Sequence, residues 1–107
     1  MKLNDKQIAK IKQRVNLSNG NKIIRIDVSE GNDLPESESN YNIYCINSES
    51  EILWQVTEIK SNPIDNIDMF VYLGKNQEGV ITADRFSGFE YKIDPETGEA
   101  ERVGFHK

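Results

Sequence analysis

Residues Asn42–Val56 read NIYCINSESEILWQV, and Phe89–Val103, 47 positions further on, read FEYKIDPETGEAERV. The two align without a gap, setting Tyr44 on Tyr91, Ile46 on Ile93, Asn47 on Asp94, Glu49 on Glu96, Ser50 on Thr97 and Val56 on Val103. In the second copy Phe89, Tyr91 and Ile93 alternate with Glu90, Lys92 and Asp94, the period of a strand with one buried face. A turn signal follows, Asp94-Pro95-Glu96-Thr97-Gly98. Pro95 presets φ at the first corner, Asp94 offers its carboxylate to a backbone N–H, and Gly98 can take the positive φ that leads into a return strand. Each copy therefore reads as a β-hairpin. The first is apolar on both faces, Tyr44 and Ile46 on one and Ile43 and Cys45 on the other, with Ile52, Leu53, Trp54 and Val56 returning. Such a strand needs a layer above and below it.

Working outward, Met69–Leu73 (MFVYL), the turn Gly74–Gly79 (GKNQEG) and Val80–Ala83 form a third hairpin signal. Asp84–Gly88 connects it to the second repeat copy, and Val103 and Phe105 close the last strand. Upstream, Ile24, Ile26 and Val28 alternate with Arg25 and Asp27 after the turn Asn19-Gly20-Asn21. At the N-terminus, Asn4 and Gln7 form a capping-box pattern, and Leu3, Ile8, Ile11 and Val15 fall on one helical stripe, predicting a helix that ends near Asn16. The expected fold is α+β and mostly β: an antiparallel meander of about seven strands with one N-terminal amphipathic helix packed on it. At 107 residues the chain fits a single domain, 1–107, divided into a helix region 1–16 and a β region 22–107 with a polar loop at 29–40. That loop is either disordered or positioned for contact.

Charge is distributed unevenly. Residues 1–25 carry seven basic side chains against Asp5, and the remainder carries six basic and seventeen acidic groups. Asp27–Glu58 holds eight acids and no Lys or Arg, a field that favours a cationic partner and disfavours nucleic acid. The single cysteine, Cys45, excludes an internal disulfide. The sequence contains neither a signal-peptide core nor an apolar run of the roughly 20 residues a membrane-spanning helix needs, so a cytoplasmic address is expected.

Catalytic chemistry has little to build on. The only histidine, His106, has no local nucleophile beside it. Asp65, Asn66 and Asp68, like Asp94, Glu96 and Glu99, lack the spacing of a calcium loop and read as turn chemistry. Gly74–Gly79 lacks the lysine and hydroxyl of a phosphate loop. Glu90, Glu99 and Glu101 fall on the polar face of what reads as an edge strand, without a cleft to shift their titration. Cys45 reads as a small core hydrophobe. No catalytic, cofactor-binding or metal-ligating residue is assigned. Trp54, Tyr44 and Tyr91 read as core, whereas Tyr41, Phe86 and Phe89 border polar turns and suit an interface.

The pattern aromatic-x-Ile-Asp-Pro-Glu-Thr-Gly-Glu resembles the hairpin of PQQ-type β-propeller repeats, over about thirty residues in two pieces. A propeller needs at least four blades of roughly 40 residues, so a closed propeller is excluded, and the cofactor role is not carried over. The hairpin pair Ile-Tyr-Cys-Ile and Leu-Trp-Gln-Val, followed by the terminal Ser-Gly-Phe-Glu-Tyr-Lys-Ile-Asp hairpin, also resembles small bacterial immunity and inhibitor proteins of toxins. That resemblance implies a non-enzymatic binding role against a cationic protein such as a nuclease toxin. The partner-binding residues expected from the acidic stretch are Glu36, Glu38, Tyr41, Glu49 and Glu51. The alternatives are an assembly module pairing through an exposed sheet edge, an acidic nucleic-acid mimic acting against host defence, and a metal enzyme or hydrolase should the fold gather distant carboxylates.

Overall fold

A computed structural model describes residues 1–28, 39–58 and 68–105. Among them the chain forms one helix, α1 (Asp5–Ala9), and nine strands: β1 (Ile11–Asn16), β2 (Lys22–Ile26), β3 (Ile43–Ile46), β4 (Ile52–Gln55), β5 (Thr57–Glu58), β6 (Phe70–Lys75), β7 (Ile81–Arg85), β8 (Phe89–Ile93) and β9 (Glu99–Phe105). The strands make a four-stranded sheet, β1-β2-β3-β4, and a five-stranded sheet, β5-β9-β8-β7-β6. Every pairing is antiparallel except that of β5 with β9.

The mostly-β expectation holds, but the strands divide between two sheets with one parallel pairing and do not form a single antiparallel meander. There are nine described strands instead of about seven, and the N-terminal helix stops at Ala9. The capping box forms as read, with Asn4 and Gln7 side chains each accepting from the other's backbone N–H. Lys10 then ends the helix, and Ile11–Asn16 pairs with Lys22–Ile26 through the Leu17–Asn21 turn. Ile11 and Val15 satisfy both a helical stripe and a strand alternation. Their β-branched side chains and an available partner strand settle the choice for strand. No residue of α1 is buried, so the layer over β3 is not the helix. It is the second sheet.

The main core lies between the sheets and joins Val15, Ile23, Ile43 and Cys45 from one to Phe70, Leu73, Ile81, Ala83, Tyr91, Ile93 and Ala100 from the other. A smaller cluster of Leu3, Ile24, Ile26, Val28, Tyr44 and Ile46 fills the opposite face of the four-stranded sheet. All four β3 residues are buried, in the alternation read from the sequence. Burial pushes the Cys45 thiol above its ordinary titration range, which keeps it un-ionised and inert.

The two sheets are joined differently at their two sides. On one side the backbone does it: the chain leaves β4 and enters β5 at buried Val56, whose N–H donates to Ile43 O at 2.9 Å, while Thr57 N–H donates to Gly98 O at 3.0 Å. One continuous segment thus serves both sheets, as at a sandwich corner. On the other side β6 approaches β1 and β2, and side chains replace a strand ladder. Asn42, 0% exposed, accepts from Phe70 N–H at 2.9 Å and donates to Phe70 O at 2.9 Å and Ile26 O at 2.7 Å. Gln13 Oε1 accepts from Leu73 N–H and from Arg25 Nε, each at 2.7 Å. The edge of β6 is capped from within.

The repeat survives as two hairpins, by different means. In β3–β4, Asn47 and Glu51 close the turn, Ser50 takes φ 63°, and a register shift beside Ile46 absorbs Leu53 as an extra residue. In β8–β9 the turn is one residue longer, closed by Asp94 and Glu99, and Ile93 pairs with Ala100 without that shift. The bulge and the longer turn compensate, which is why the alignment needs no gap. Gly98 has φ 80°, and a side chain there would collide with the Trp54 indole. The Trp54 indole N–H donates to Pro95 O at 3.0 Å, so one copy's return strand rests on the other copy's turn.

At one end of the inter-sheet core sits a buried charge. Continuing the alternation of Ile81 and Ala83, Arg85 points inward, and its side chain and that of Glu58 are 0% and 4% exposed. Arg85 Nε and Nη2 donate to Glu58 Oε1 at 3.1 and 2.8 Å, and Nη1 donates to Asn40 O at 2.7 Å and to Asp68 O. The guanidinium carbon lies 4.2 Å from the Phe70 ring centroid and 5.3 Å from that of Tyr41. Tyr91 Oη donates to Glu58 Oε1 at 3.0 Å and accepts from Arg102 Nη2 at 3.0 Å.

Two measurements check this account. Asn42→Ala strands the Phe70 amide and should lower unfolding free energy in denaturant titration by about 2–4 kcal/mol; a loss below about 0.5 kcal/mol would show that water replaces the side chain. Arg85→Met and Glu58→Leu should each cost about 3–5 kcal/mol, with the double variant far less destabilised than the sum, since removing one member leaves the other charged and buried. Additive losses would refute the pairing.

Candidate functional site

The residues expected to bind a partner do not converge in the described part of the fold. Glu36 and Glu38 lie outside the described residues. Tyr41 stands before β3, packed against the core beside Arg85, whereas Glu49 and Glu51 occupy the turn at the far end of that strand, about 20 Å away at strand rise. The turn is locally satisfied. Asn47 Nδ2 donates to Glu51 Oε1 at 2.9 Å, and this hydrogen bond, with lesser help from Lys2 and the N-terminal amine, holds the Glu51 carboxyl below its ordinary range. Lys2 forms an antiparallel bridge with Glu51, and Met1 O accepts from Ile52 N–H at 2.7 Å. Basic N-terminal residues thus meet the first acidic turn through the backbone ahead of α1.

The Arg85 cluster gathers the most ionisable and aromatic groups, but its hydrogen-bonding capacity is spent. Among the described residues every buried side-chain nitrogen and oxygen has a partner. It acts as an internal tie between β5, β7 and the segments ahead of β3 and β6.

The outer face of the five-stranded sheet is different. Register sets Tyr72, Asp84, Glu90 and Gly104 in one cross-strand row and Gly74, Thr82, Lys92 and Glu101 in the next. Asp84 and Glu90 stand directly opposite each other. Glu99 joins this face by its two-residue spacing from Glu101. Among the described residues of this face, four acids thus accompany one lysine, Lys92, whose Nζ lies 3.8 Å from Glu101 Oε1 with both side chains more than half exposed. The sequence reading put Glu90, Glu99 and Glu101 beside an edge strand. β9 is interior, because β5 pairs along its other side.

Where this face meets the β6–β7 and β8–β9 turns lies an open cleft of about 430 Å³. Val80, Lys92, Asp94, Pro95, Glu99 and Glu101 line it, while the side chains of Ile81 and Ile93, at its floor, are buried in the inter-sheet core. At the opposite end of β7, Phe86 is 75% exposed. It rides on a fixed turn: its N–H donates to Met69 O at 2.8 Å, and Ser87 N–H and Oγ donate to the Asp68 carboxylate at 2.9 and 2.7 Å. Phe89, the other aromatic expected at an interface, is part-buried against Phe105 and under Arg102.

Turn chemistry accounts for Asp68 and Asp94 among the acids weighed as calcium ligands. Asp68 holds Ser87, and Asp94 Oδ1 accepts from Glu96 N–H at 2.8 Å; Asp65, Asn66 and His106 lie outside the described residues. Among the described residues no group of three or more His, Cys, Asp or Glu is placed to hold a metal ion, and no helix is long and apolar enough to cross a membrane.

Two residues that organise this end of the molecule escaped the sequence reading. Arg85 was assigned to a connector although its phase with Ile81 and Ala83 pointed inward. Asn40, placed in a polar loop, is buried and accepts from Asp68 N–H at 2.8 Å; no periodicity marks it. No curated protein and no solved structure matches the chain. Residues 4–105 match the family described as a domain of unknown function, DUF7957, and the chain belongs to that family.

Proposed function

We propose that this protein is a non-enzymatic binding module that docks a cationic partner protein, in the manner of an immunity or inhibitor protein that neutralises a nuclease-type toxin. The observation that carries the reading is the outer face of the five-stranded sheet, where, among the described residues, Asp84, Glu90, Glu99 and Glu101 stand with Lys92 as the one base. Acids gathered on one face of a sheet give that face a negative field, which fits a surface that meets a basic partner. Such a field steers a basic partner and competes for a site built to hold phosphates. Phe86 offers an apolar anchor on a fixed turn. Pairing through a sheet edge is less well supported. Asn42 and Gln13 cap β6, β5 has two residues, and the start of β4 is bridged by Lys2.

The test is calorimetric titration against a basic toxin domain encoded beside this protein, at about 50 and about 200 mM salt. Affinity should fall about tenfold or more across that range. Asp84→Asn/Glu90→Gln/Glu99→Gln/Glu101→Gln should lose a similar factor at low salt. Binding that ignores both salt and these carboxylates would overturn the reading.

A further inference from the structure

The acidic face also carries aromatic surface, toward the end of β7 opposite the cleft. Tyr72 stands across from Asp84 in the β6–β7 register. Phe86 lies two residues beyond Asp84, in the alternation of Thr82 and Asp84, and its N–H on Met69 O carries the β6–β7 pairing one step further. Tyr72 is 44% exposed and Phe86 75%. Both rings therefore meet solvent, unlike the side chains of Ile81 and Ile93.

The Tyr72 ring does not stand straight out into water. Its end lies over Gly74, where a β-carbon would collide with Tyr72 Cζ and the hydroxyl. Gly74 thus lets the ring lie along the strand against the sheet. A ring laid down in this way loses little rotamer freedom when a partner covers it. Glu90 leans the other way, its carboxylate reaching the open space at Gly104, so Asp84 is the acid beside the ring.

Other rings of this molecule are covered by its own guanidinium groups. The Arg85 carbon lies 4.2 Å from the Phe70 centroid and that of Arg102 lies 3.8 Å from the Phe89 centroid, with Tyr41 and Tyr91 also within reach. Among the described residues no guanidinium lies over Tyr72 or Phe86. An aromatic ring next to a carboxylate on a negative face fits arginine best, because its plane stacks on the ring while its edge donates to the acid. A lysine ammonium is more strongly hydrated and acts as a point charge. Phe86, projecting from the turn pinned by Asp68, is placed to enter the partner as an anchor.

We infer that the partner protein docks on this aromatic end of the face, laying an arginine over the Tyr72 ring with its guanidinium beside Asp84 and taking Phe86 into an apolar recess of its own. The inference rests on the acidic-module reading and names the point at which that module grips.

The probe is the peptide acetyl-Gly-Arg-Gly-amide, followed by amide chemical shifts of the full chain, with the citrulline peptide as the neutral isostere. Saturable shifts should concentrate at Tyr72, Gly74 and Asp84. Tyr72→Ala and Asp84→Asn should each weaken binding about three- to fivefold, and Tyr72→Phe should leave it within about twofold. Shifts that spread over the whole acidic face, or that are equal for arginine and citrulline, would overturn the site. Titration with the basic toxin domain separates the two proposals. There Tyr72→Ala and Phe86→Ala should each cost about tenfold or more at both salt concentrations, since contacts with the rings are not screened. Undiminished affinity in both variants, with salt dependence intact, would overturn the docking point and leave the acidic module standing. Binding that needs the rings but neither low salt nor the carboxylates would overturn the module and the arginine with it. Self-association of the chain that Phe86→Ala abolishes would overturn the basic partner in favour of a second copy.

Discussion

A guanidinium taken out of water organises one end of this molecule. Arg85 is enclosed by Phe70, Tyr91 and Tyr41, and it survives burial because Glu58 supplies the opposite charge and two backbone carbonyls take the remaining donors. The consequence is topological. Those partners come from β5, from the segment ahead of β3 and from the segment ahead of β6, so a single side chain on β7 fixes three parts of the chain that are distant in sequence. An ion pair of this kind need not add net stability over a well-packed apolar core. Its value lies in admitting one arrangement, since a displaced β5 would leave a charge unpaired in a low-dielectric interior.

The same logic of replacing water closes the two sheets. At the β4–β5 corner the backbone crosses between layers. At the β6 side Asn42 meets both the donor and the acceptor of Phe70, doing with one amide side chain what a neighbouring strand would do with its main chain. Gln13 does the same for Leu73. A free edge on a mostly-β protein invites pairing with other chains, and here the described edge of β6 is turned inward and occupied. What the molecule presents outward is therefore a face more than an edge, which directs attention to side-chain chemistry on the five-stranded sheet.

That face divides the labour between interior and surface. Positions pointing inward from β7 and β8 carry Ile81, Ala83, Arg85, Tyr91 and Ile93, and their alternates carry Thr82, Asp84, Glu90 and Lys92. Fixed turns at both ends, one displaying Phe86 and the other bordering the cleft, keep this surface pre-organised, so a partner docking there, as proposed, would cost little conformational entropy.

Much of the strand content was legible because it depends on local alternation. The hairpins β3–β4, β6–β7 and β8–β9, the turn at Gly98 and the capping box at Asn4 each follow from a few adjacent residues. The helix boundary was not, since Ile11 and Val15 obey both periods and only pairing with β2 breaks the tie. Nor could the grouping into two sheets be read. A strand apolar on both faces announced that something must cover it, but the covering layer came from strands forty residues further on and not from the nearest amphipathic segment. For the surface, the sequence located acidic charge while leaving open which carboxylates share a face, because cross-strand register is a long-range property. Alternation, turns and net charge were thus determined by the sequence alone. Which sheet each strand joins, the burial of Arg85 with Glu58, and the assembly of Glu99 and Glu101 around a cleft were decided only by tertiary packing, where the cost of leaving a charge or a backbone group unpaired selects among locally equivalent arrangements.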